Sequence, residues 1–134
     1  MNIVIGIIAA AASAFAAFSF FKAGLFKARA SRQTLLDAGF GWIEKISLGT
    51  VRLIAWLEIL GAAGLVLGVI GYFIGFEWAL WFAVAAAIGL ELIMIGAIGV
   101  HASRGESKYT LKMNLKLLAP TLVAAVLWAI FPSL

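Results

Sequence analysis

Four long apolar runs, separated by short charged stretches, constrain the fold of this chain most strongly. They cover about residues 2–21, 51–73, 78–100 and 113–133, and each is close to the roughly 20 residues that an α-helix needs to cross a bilayer. Only 12% of the 134 residues are charged, whereas globular proteins average about 25%. The pattern predicts an all-α fold, a transmembrane four-helix bundle that forms a single integral membrane domain over residues 1–134.

The connection between the first two runs is long enough to hold structure of its own. Within residues 22–50, Leu36, Phe40 and Ile43 share one helical face, while the neighbouring charged residues lie on others. Such a face is typical of a short helix that lies in the membrane interface. We therefore expect one short interfacial helix between spans 1 and 2.

The positions of the cations predict how the bundle is oriented. All ten Lys and Arg residues lie around two connections: Lys22, Lys27, Arg29, Arg32, Lys45 and Arg52 around the first, and Arg104, Lys108, Lys112 and Lys116 around the third. None precedes the first run, so we expect that run to be a retained span and not a signal peptide. Basic connections stay in the cytoplasm, which predicts a protein of a bacterial inner membrane with both termini outside the cytoplasm.

The tryptophans agree with this orientation. Trp78 and Trp81 fall at the predicted outer boundary, Trp128 falls near it, and Trp42 falls at the inner one. Trp is enriched at both membrane–water interfaces, so we expect these four side chains to lie there.

Glu58 lies inside the second apolar run and is the first candidate for a functional residue. A charge at the centre of a membrane helix costs roughly 2.5–3.5 kcal/mol, so this carboxyl group needs a proton, a partner or water. It falls on the same side of its helix as Gly61, Gly64 and Gly68, where another helix can come close. We place it toward the bundle interior, either as a hydrogen-bonded cross-link or as a ligand or proton site.

The groups expected near Glu58 lie at the same end of the bundle, and they are Lys22, Lys27, Arg52 and His101. Arg52 lies roughly 120° away from Glu58 around their common helix, so a partner from another helix is preferred. The candidate ligand-binding or proton site consists of Glu58, His101, Arg52 and Lys27.

Glu91 is a second carboxyl group within an apolar run. It points roughly 200° away from Gly89 and nearly as far from Gly96, and these two glycines are expected to mark the packed face of the third span. We therefore predict that Glu91 meets a second copy or a larger membrane subunit. The alternative is that it joins Glu58 in one interior site, as a carboxylate pair in which one member keeps the other protonated.

Three stretches of the sequence resemble one known family. FKAGLFK, RLIAWLEILGAAGLVLG and AAAIGLELIMIGAIGVHASRGE are similar to sequences of the DoxX-like family of small four-helix membrane proteins. The matching positions are Gly24, Lys27, Arg52, Glu58, Gly61, Gly64, Leu65, His101, Arg104, Gly105 and Glu106. The resemblance implies links with thiosulfate:quinone oxidoreductase or membrane redox assemblies for some members, and with receptor-assembly chaperones or sterol-binding proteins among distant relatives. The position of Glu91 is commonly apolar in the family, so this residue departs from the pattern.

The sequence offers few side chains that could bind a metal, and none that could perform thiol chemistry. There is no Cys and only one His, and a metal would need three or four converging donors, for which only Glu58, Glu91 and Asn114 could join His101. A His beside Arg104 is more often a solvated or capping group. We expect no catalytic residues, no metal, no cofactor and no nucleic-acid partner, and we expect Tyr109 to serve as an interfacial anchor.

Three functions remain open from the sequence, and none requires enzymatic activity. The first is an accessory or assembly subunit of a larger membrane complex, redox complexes included, which the small size and Glu91 favour. The second is an intramembrane binder of a quinone, lipid or sterol-like molecule near Glu58 and His101. The third is a small proton-coupled exporter, which ranks last because the small multidrug transporters carry their membrane Glu in the first helix and have a weaker charge bias.

Overall fold

The computed structural model describes residues 2–134 apart from the side chains of Ser107 and Tyr109, so the anchoring role expected for Tyr109 lies outside the described part. The helices are α1 (Asn2–Arg29), α2 (Arg32–Asp37), α3 (Leu48–Phe73), α4 (Ala79–Ser103) and α5 (Ser107–Ile130), with 3₁₀ turns at Gly41–Lys45 and Phe131–Ser133. Four stretches are long and apolar enough to cross a membrane: Asn2–Arg29, Leu48–Phe73, Ala79–Ser103 and Thr110–Ser133. The predicted all-α class with four spanning helices is therefore confirmed.

The four long helices pack in a ring. α1 contacts α3 and α5, and α4 contacts the same two helices from the other side. Their shared core consists mainly of small and aliphatic residues, with Phe20 and Trp128 as its largest members. Large apolar side chains such as Leu60, Leu67 and Phe82 are exposed on the outside. A bundle with this outer surface suits a lipid environment, as the predicted transmembrane bundle requires.

α3 approaches α4 most closely at three of the predicted packing glycines. A Cβ on Gly61 would lie 2.6 Å from the side chain of Leu90, and one on Gly68 would lie 2.5 Å from the backbone nitrogen of Ala83. Gly64 is less tight, since its Cβ would lie 3.2 Å from the Cβ of Ala86. Small residues let membrane helices pack at short range, and here they bring the two backbones together.

The packing expected at Gly89 and Gly96 is not found within this chain. A Cβ on either residue would have no neighbouring atom within 4 Å, and both positions are exposed. The α4 residues that pack against α3 include Ala83 and Leu90 instead. The packing predicted at Gly89 and Gly96 is wrong because α4 packs closely against α3 through alanine and not through glycine.

The spanning helices extend beyond the apolar runs that predicted them. α1 continues past residue 21 to Arg29, and α5 begins at Ser107 before residue 113. Lys and Arg are good helix formers, so the charges that end an apolar run do not end the helix. Pro120 lies within α5.

The connection between α1 and α3 contains two short elements and not the single helix that was predicted. α2 ends before Gly39, which has a φ of 96°, a left-handed conformation that glycine adopts readily. A 3₁₀ turn follows, and Leu35 and Ile43 are buried together with Val51 at the start of α3. The guanidinium of Arg32 donates to the carbonyls of Ile43 (2.7 Å) and Ile46 (2.9 Å), which ties α2 to the chain that follows it.

The two basic connections meet at one end of the bundle, which we call the basic end. A Cβ on Gly41, in the first of them, would lie 3.0 Å from a guanidinium nitrogen of Arg104 in the other. The predicted orientation requires this arrangement, because both connections must lie on the same side of the membrane. Which side that is stays a prediction.

The tryptophans divide into exposed and buried side chains. Trp78 and Trp81 are 62% and 57% exposed, which suits an interfacial position. Trp128 is fully buried, and its indole N–H donates to the hydroxyl of Ser13 at 2.8 Å. The indole of Trp128 therefore faces the bundle interior, where a polar partner satisfies its N–H group, and its depth in the membrane stays a prediction.

Candidate functional site

Lys27 of α1 and Glu58 of α3 form a buried ion pair between two spanning helices. The ammonium nitrogen of Lys27 lies 2.6 Å from Oε1 of Glu58, and the two residues are 8% and 4% exposed. Glu58 therefore faces the bundle interior, on the side where the sequence placed it. Of the four groups expected near it, Lys27 is the one that contacts it.

Two neighbours hold Lys27 in place against α3. Gly24, one turn earlier on α1, allows close approach, since a Cβ there would lie 2.8 Å from the carbonyl oxygen of Ala55. Arg52 does not contact Glu58; its guanidinium donates to the backbone carbonyl of Lys27 at 2.8 Å. The last carbonyls of a helix lack partners within the helix, so Arg52 caps the end of α1 while the side chain of Lys27 reaches Glu58.

A cavity of about 400 Å³ lies beside this ion pair at the basic end. All four spanning helices and the connection between α1 and α3 contribute to its wall. The lining residues are Phe20, Ala23, Lys27, Phe40, Trp42, Ile46, Ile54, Glu58, Leu92, Ile93, Met94, Gly96, Ala97, Val100, His101, Met113, Asn114 and Leu117. Most of this wall is apolar, and its polar side chains are Lys27, Glu58, His101 and Asn114. The cavity therefore combines a hydrophobic body with one group of polar contacts.

Two buried polar atoms of the cavity wall lack a hydrogen-bond partner in the described part of the chain. They are Oε2 of Glu58, an acceptor, and the amide nitrogen of Asn114, a donor. Asn114 is only 2% exposed. Leaving buried polar atoms unpaired costs roughly 1–3 kcal/mol each, so a bound group that reached either atom would remove that cost. From the sequence, Asn114 was considered only as a donor that could join His101 on a metal. It lies seven residues before Thr121, so the two residues share one face of α5.

His101 lies at the border between the cavity and the turn that joins α4 to α5. Its Nδ1 lies 2.7 Å from Oε2 of Glu106, and the guanidinium of Arg104 donates to the other oxygen of that carboxylate at 2.8 Å. Gly105, with a φ of 71°, makes the tight turn between them. His101 thus lines the cavity, but its side chain is bonded to Glu106 and not to Glu58.

Comparison with known proteins adds to this geometry. The model of the DoxX-like family matches residues 11–130. The chain belongs to the DoxX-like family. The matched region includes every residue that lines the cavity. No match was found among curated proteins or among solved structures. Family membership and the four apolar helices together establish an integral membrane protein, as the sequence predicted.

Glu91 of this DoxX-like protein lies closer to the bundle than predicted. It is half-buried, and its carboxylate accepts a hydrogen bond from the hydroxyl of Thr121 on α5. The prediction that Glu91 faces away from the packed helices is wrong, because it was measured from Gly89 and Gly96, which do not pack. Glu91 is also absent from the wall that Glu58 helps to form, so the described residues do not bring the two carboxyl groups into one site.

No group of three or more His, Cys, Asp or Glu side chains in the described part of this DoxX-like protein could hold a metal ion. His101 has the carboxylate of Glu106 beside it and no third donor. The polar groups of the cavity are suited to hydrogen bonding and charge pairing.

The turn between α4 and α5 predicts a dependence of stability on pH. Hydrogen bonds from His101 and then from Arg104 hold the pKa of Glu106 below its ordinary value of about 4.5. A carboxyl group with a lowered pKa in the folded state stabilises the fold above its unfolded pKa, and this contribution is lost as the pH falls through the folded pKa. We expect the difference in melting temperature between the wild type and Glu106→Gln to shrink as the pH falls below about 4.5.

Glu77 supplies the control for this pH dependence. It is an exposed residue in the turn between α3 and α4, and it forms no ion pair with another described residue. Glu77→Gln should differ little from the wild type at any pH. A Glu106→Gln difference that persists unchanged to pH 3 would contradict the role assigned to this carboxylate.

Proposed function

We propose that this DoxX-like protein binds a small lipophilic molecule in the cavity at the basic end. The observation that carries the proposal is an apolar wall that converges on the buried Lys27–Glu58 ion pair. Binding sites for small molecules are typically mostly apolar, with a few placed polar groups and volumes of roughly 300–1,000 Å³. The cavity, at about 400 Å³, has these properties.

The side chains of the wall support binding without covalent catalysis. No Ser, Thr, Cys or Tyr occurs among the residues that line the cavity, so His101 has no hydroxyl or thiol to activate there. The ammonium group of Lys27 is paired with Glu58 at 2.6 Å, and an ammonium group has no lone pair with which to act as a nucleophile. Their role in the proposal is to orient the polar end of a ligand whose apolar body fills the rest of the space.

The accessory-subunit hypothesis has less support than it had from the sequence. It rested partly on Glu91 having no partner within one chain, and Thr121 is such a partner. A binder also accounts for the cavity, which an assembly role does not require. We further propose that the basic end lies on the cytoplasmic side, with both termini opposite, because basic connections stay in the cytoplasm.

Filling the cavity tests the proposed function. Gly96 lines the cavity, and a Cβ there would meet open space, so Gly96→Phe should occupy ligand volume without displacing helix backbone. The wild type purified in mild detergent should release a defined lipophilic compound on solvent extraction and mass spectrometry. We expect Gly96→Phe to retain about tenfold less of it, the change that roughly 1.4 kcal/mol of lost binding produces.

Gly89→Phe is the matched control. Gly89 lies two turns earlier on the same helix, is equally open, and does not line the cavity, so this variant should retain the compound at the wild-type level. The same compounds in the same amounts from all three proteins would contradict binding in the cavity, because bulk lipid adheres to every purified bundle alike.

A further inference from the structure

Resting on the proposed function, we infer that the cavity takes a neutral lipophile whose hydroxyl group is held between Glu58 and Asn114. The two buried atoms without partners in the described chain, Oε2 of Glu58 and the amide nitrogen of Asn114, both belong to the cavity wall. One accepts a hydrogen bond and the other donates. A ligand that satisfies both must therefore carry a donor and an acceptor.

A hydroxyl group fits this requirement with a single oxygen atom. Its hydrogen donates to Oε2 of Glu58, and one of its lone pairs accepts from the amide of Asn114. A ketone or an ether satisfies Asn114 but leaves Glu58 unpaired. Because the buried acceptor then stays without a hydrogen bond, these compounds should bind less tightly than the matching alcohol or phenol.

The charges around the cavity favour an uncharged ligand. Oε1 of Glu58 is paired with Lys27 at 2.6 Å, so the two charges balance each other within the apolar wall. A ligand carboxylate would face Glu58 as a like charge, and a ligand ammonium would compete with Lys27 for the same carboxylate. Burying an additional unpaired charge is costly, whereas a neutral hydroxyl group adds none.

The ligand reaches this position from the bilayer. Leu92 and Met113 line the cavity yet are 63% and 54% exposed, so the cavity opens on the outer surface of the bundle. Leu92, Gly96 and Val100 form one stripe along α4, and Gly96 leaves a gap in it. In a spanning helix this surface contacts lipid, so an apolar tail can remain at the opening while the hydroxyl group lies inside.

Binding of 4-nonylphenol and of its methyl ether, 4-nonylanisole, tests this inference. Native mass spectrometry of the full-length protein in detergent would measure the bound fraction of each probe. We expect the wild type to bind the phenol about tenfold more tightly than the ether, since the ether lacks the donor for Glu58. We expect Asn114→Leu to weaken the binding of both probes and to keep the preference for the phenol, since both oxygens accept from Asn114 but only the phenol donates to Glu58.

Thr121→Val is the matched control for Asn114→Leu. Thr121 is a buried polar residue on the same face of α5, but it does not line the cavity, so its replacement should leave the affinity for both probes at the wild-type level. The comparison of the two probes on the wild type needs no variant, and it decides the inference even if Asn114→Leu does not fold.

The outcomes separate this inference from the proposed function. Equal binding of phenol and ether, lost in Gly96→Phe, would overturn the hydroxyl assignment and leave the binding function standing. An affinity for both probes that Asn114→Leu does not change would overturn the role of Asn114. Failure of both probes, together with no compound retained by the purified wild type, would overturn the binding function itself.

Discussion

Replacement of Lys27 by Met should lower the free energy of unfolding by about 3–5 kcal/mol, the usual cost of removing one partner from a buried ion pair. The reason is that Glu58, only 4% exposed, would keep its carboxylate inside the bundle without the ammonium group that now lies 2.6 Å away. Unfolding in mixed micelles, followed by tryptophan fluorescence, would measure the loss. Glu58→Met should produce an effect of similar size, since it leaves Lys27 buried and unpaired.

The double variant distinguishes the contribution of the ion pair to stability from the contribution of side-chain packing. Lys27→Met combined with Glu58→Met should recover most of the stability, because replacing both members of a buried pair by apolar residues is often neutral or stabilising. Lys22→Met, an exposed lysine on the same helix, is the control and should change the free energy of unfolding by less than about 0.5 kcal/mol. A double variant as unstable as the two single variants combined would show that the pair is not the source of the effect.

Gly68→Ala should have the second large effect, a loss of about 1–3 kcal/mol from the packing of α3 against α4. A Cβ at this position would lie 2.5 Å from the backbone nitrogen of Ala83 and 2.8 Å from the carbonyl oxygen of Ala79. These contacts are with backbone atoms, which cannot rotate away as a side chain can, so the two helices must separate. Thermal unfolding of the purified variant would measure the loss.

Gly89→Ala is the matched control on the facing helix. Gly89 also lies in the middle of a spanning helix, but a Cβ there would meet no neighbouring atom within 4 Å. Alanine has a higher helix propensity than glycine, so this variant should be as stable as the wild type or slightly more stable. Equal losses for Gly68→Ala and Gly89→Ala would contradict the close approach described at Gly68.

Much of the fold follows from the sequence because the bilayer restricts the possibilities. Within the hydrocarbon region backbone polar groups must bond internally, so an apolar run of about 20 residues has few alternatives to a helix. The interior position of Glu58 was also predictable, since Gly61 and Gly68 on the same side of α3 marked the surface that another helix approaches. The helix ends were less predictable, because Lys22 and Lys27 end the apolar run without ending α1.

The contacts within the site were only partly predictable. The sequence offered four cationic or titratable groups near Glu58, and the choice of Lys27 depends on the approach of α1 at Gly24, which involves residues far apart in the chain. The sequence placed Glu91 on the outside of the bundle because α4 was assumed to pack through glycine. The alanines through which α4 does pack do not mark the packed face in the sequence. Asn114 gains its importance from the cavity it lines, which forms only when all four helices are assembled.

Lys27 also determines how α1 can move. Its side chain is bound to Glu58, and its backbone carbonyl is bound to Arg52 at 2.8 Å. Two residues about 1.7 turns apart on α3 therefore hold a single residue of α1. A piston-like displacement of α1 along its axis would break both bonds at once. Any conformational change that accompanies ligand exchange should therefore involve tilting of α4 or α5, with α1 and α3 moving as one unit.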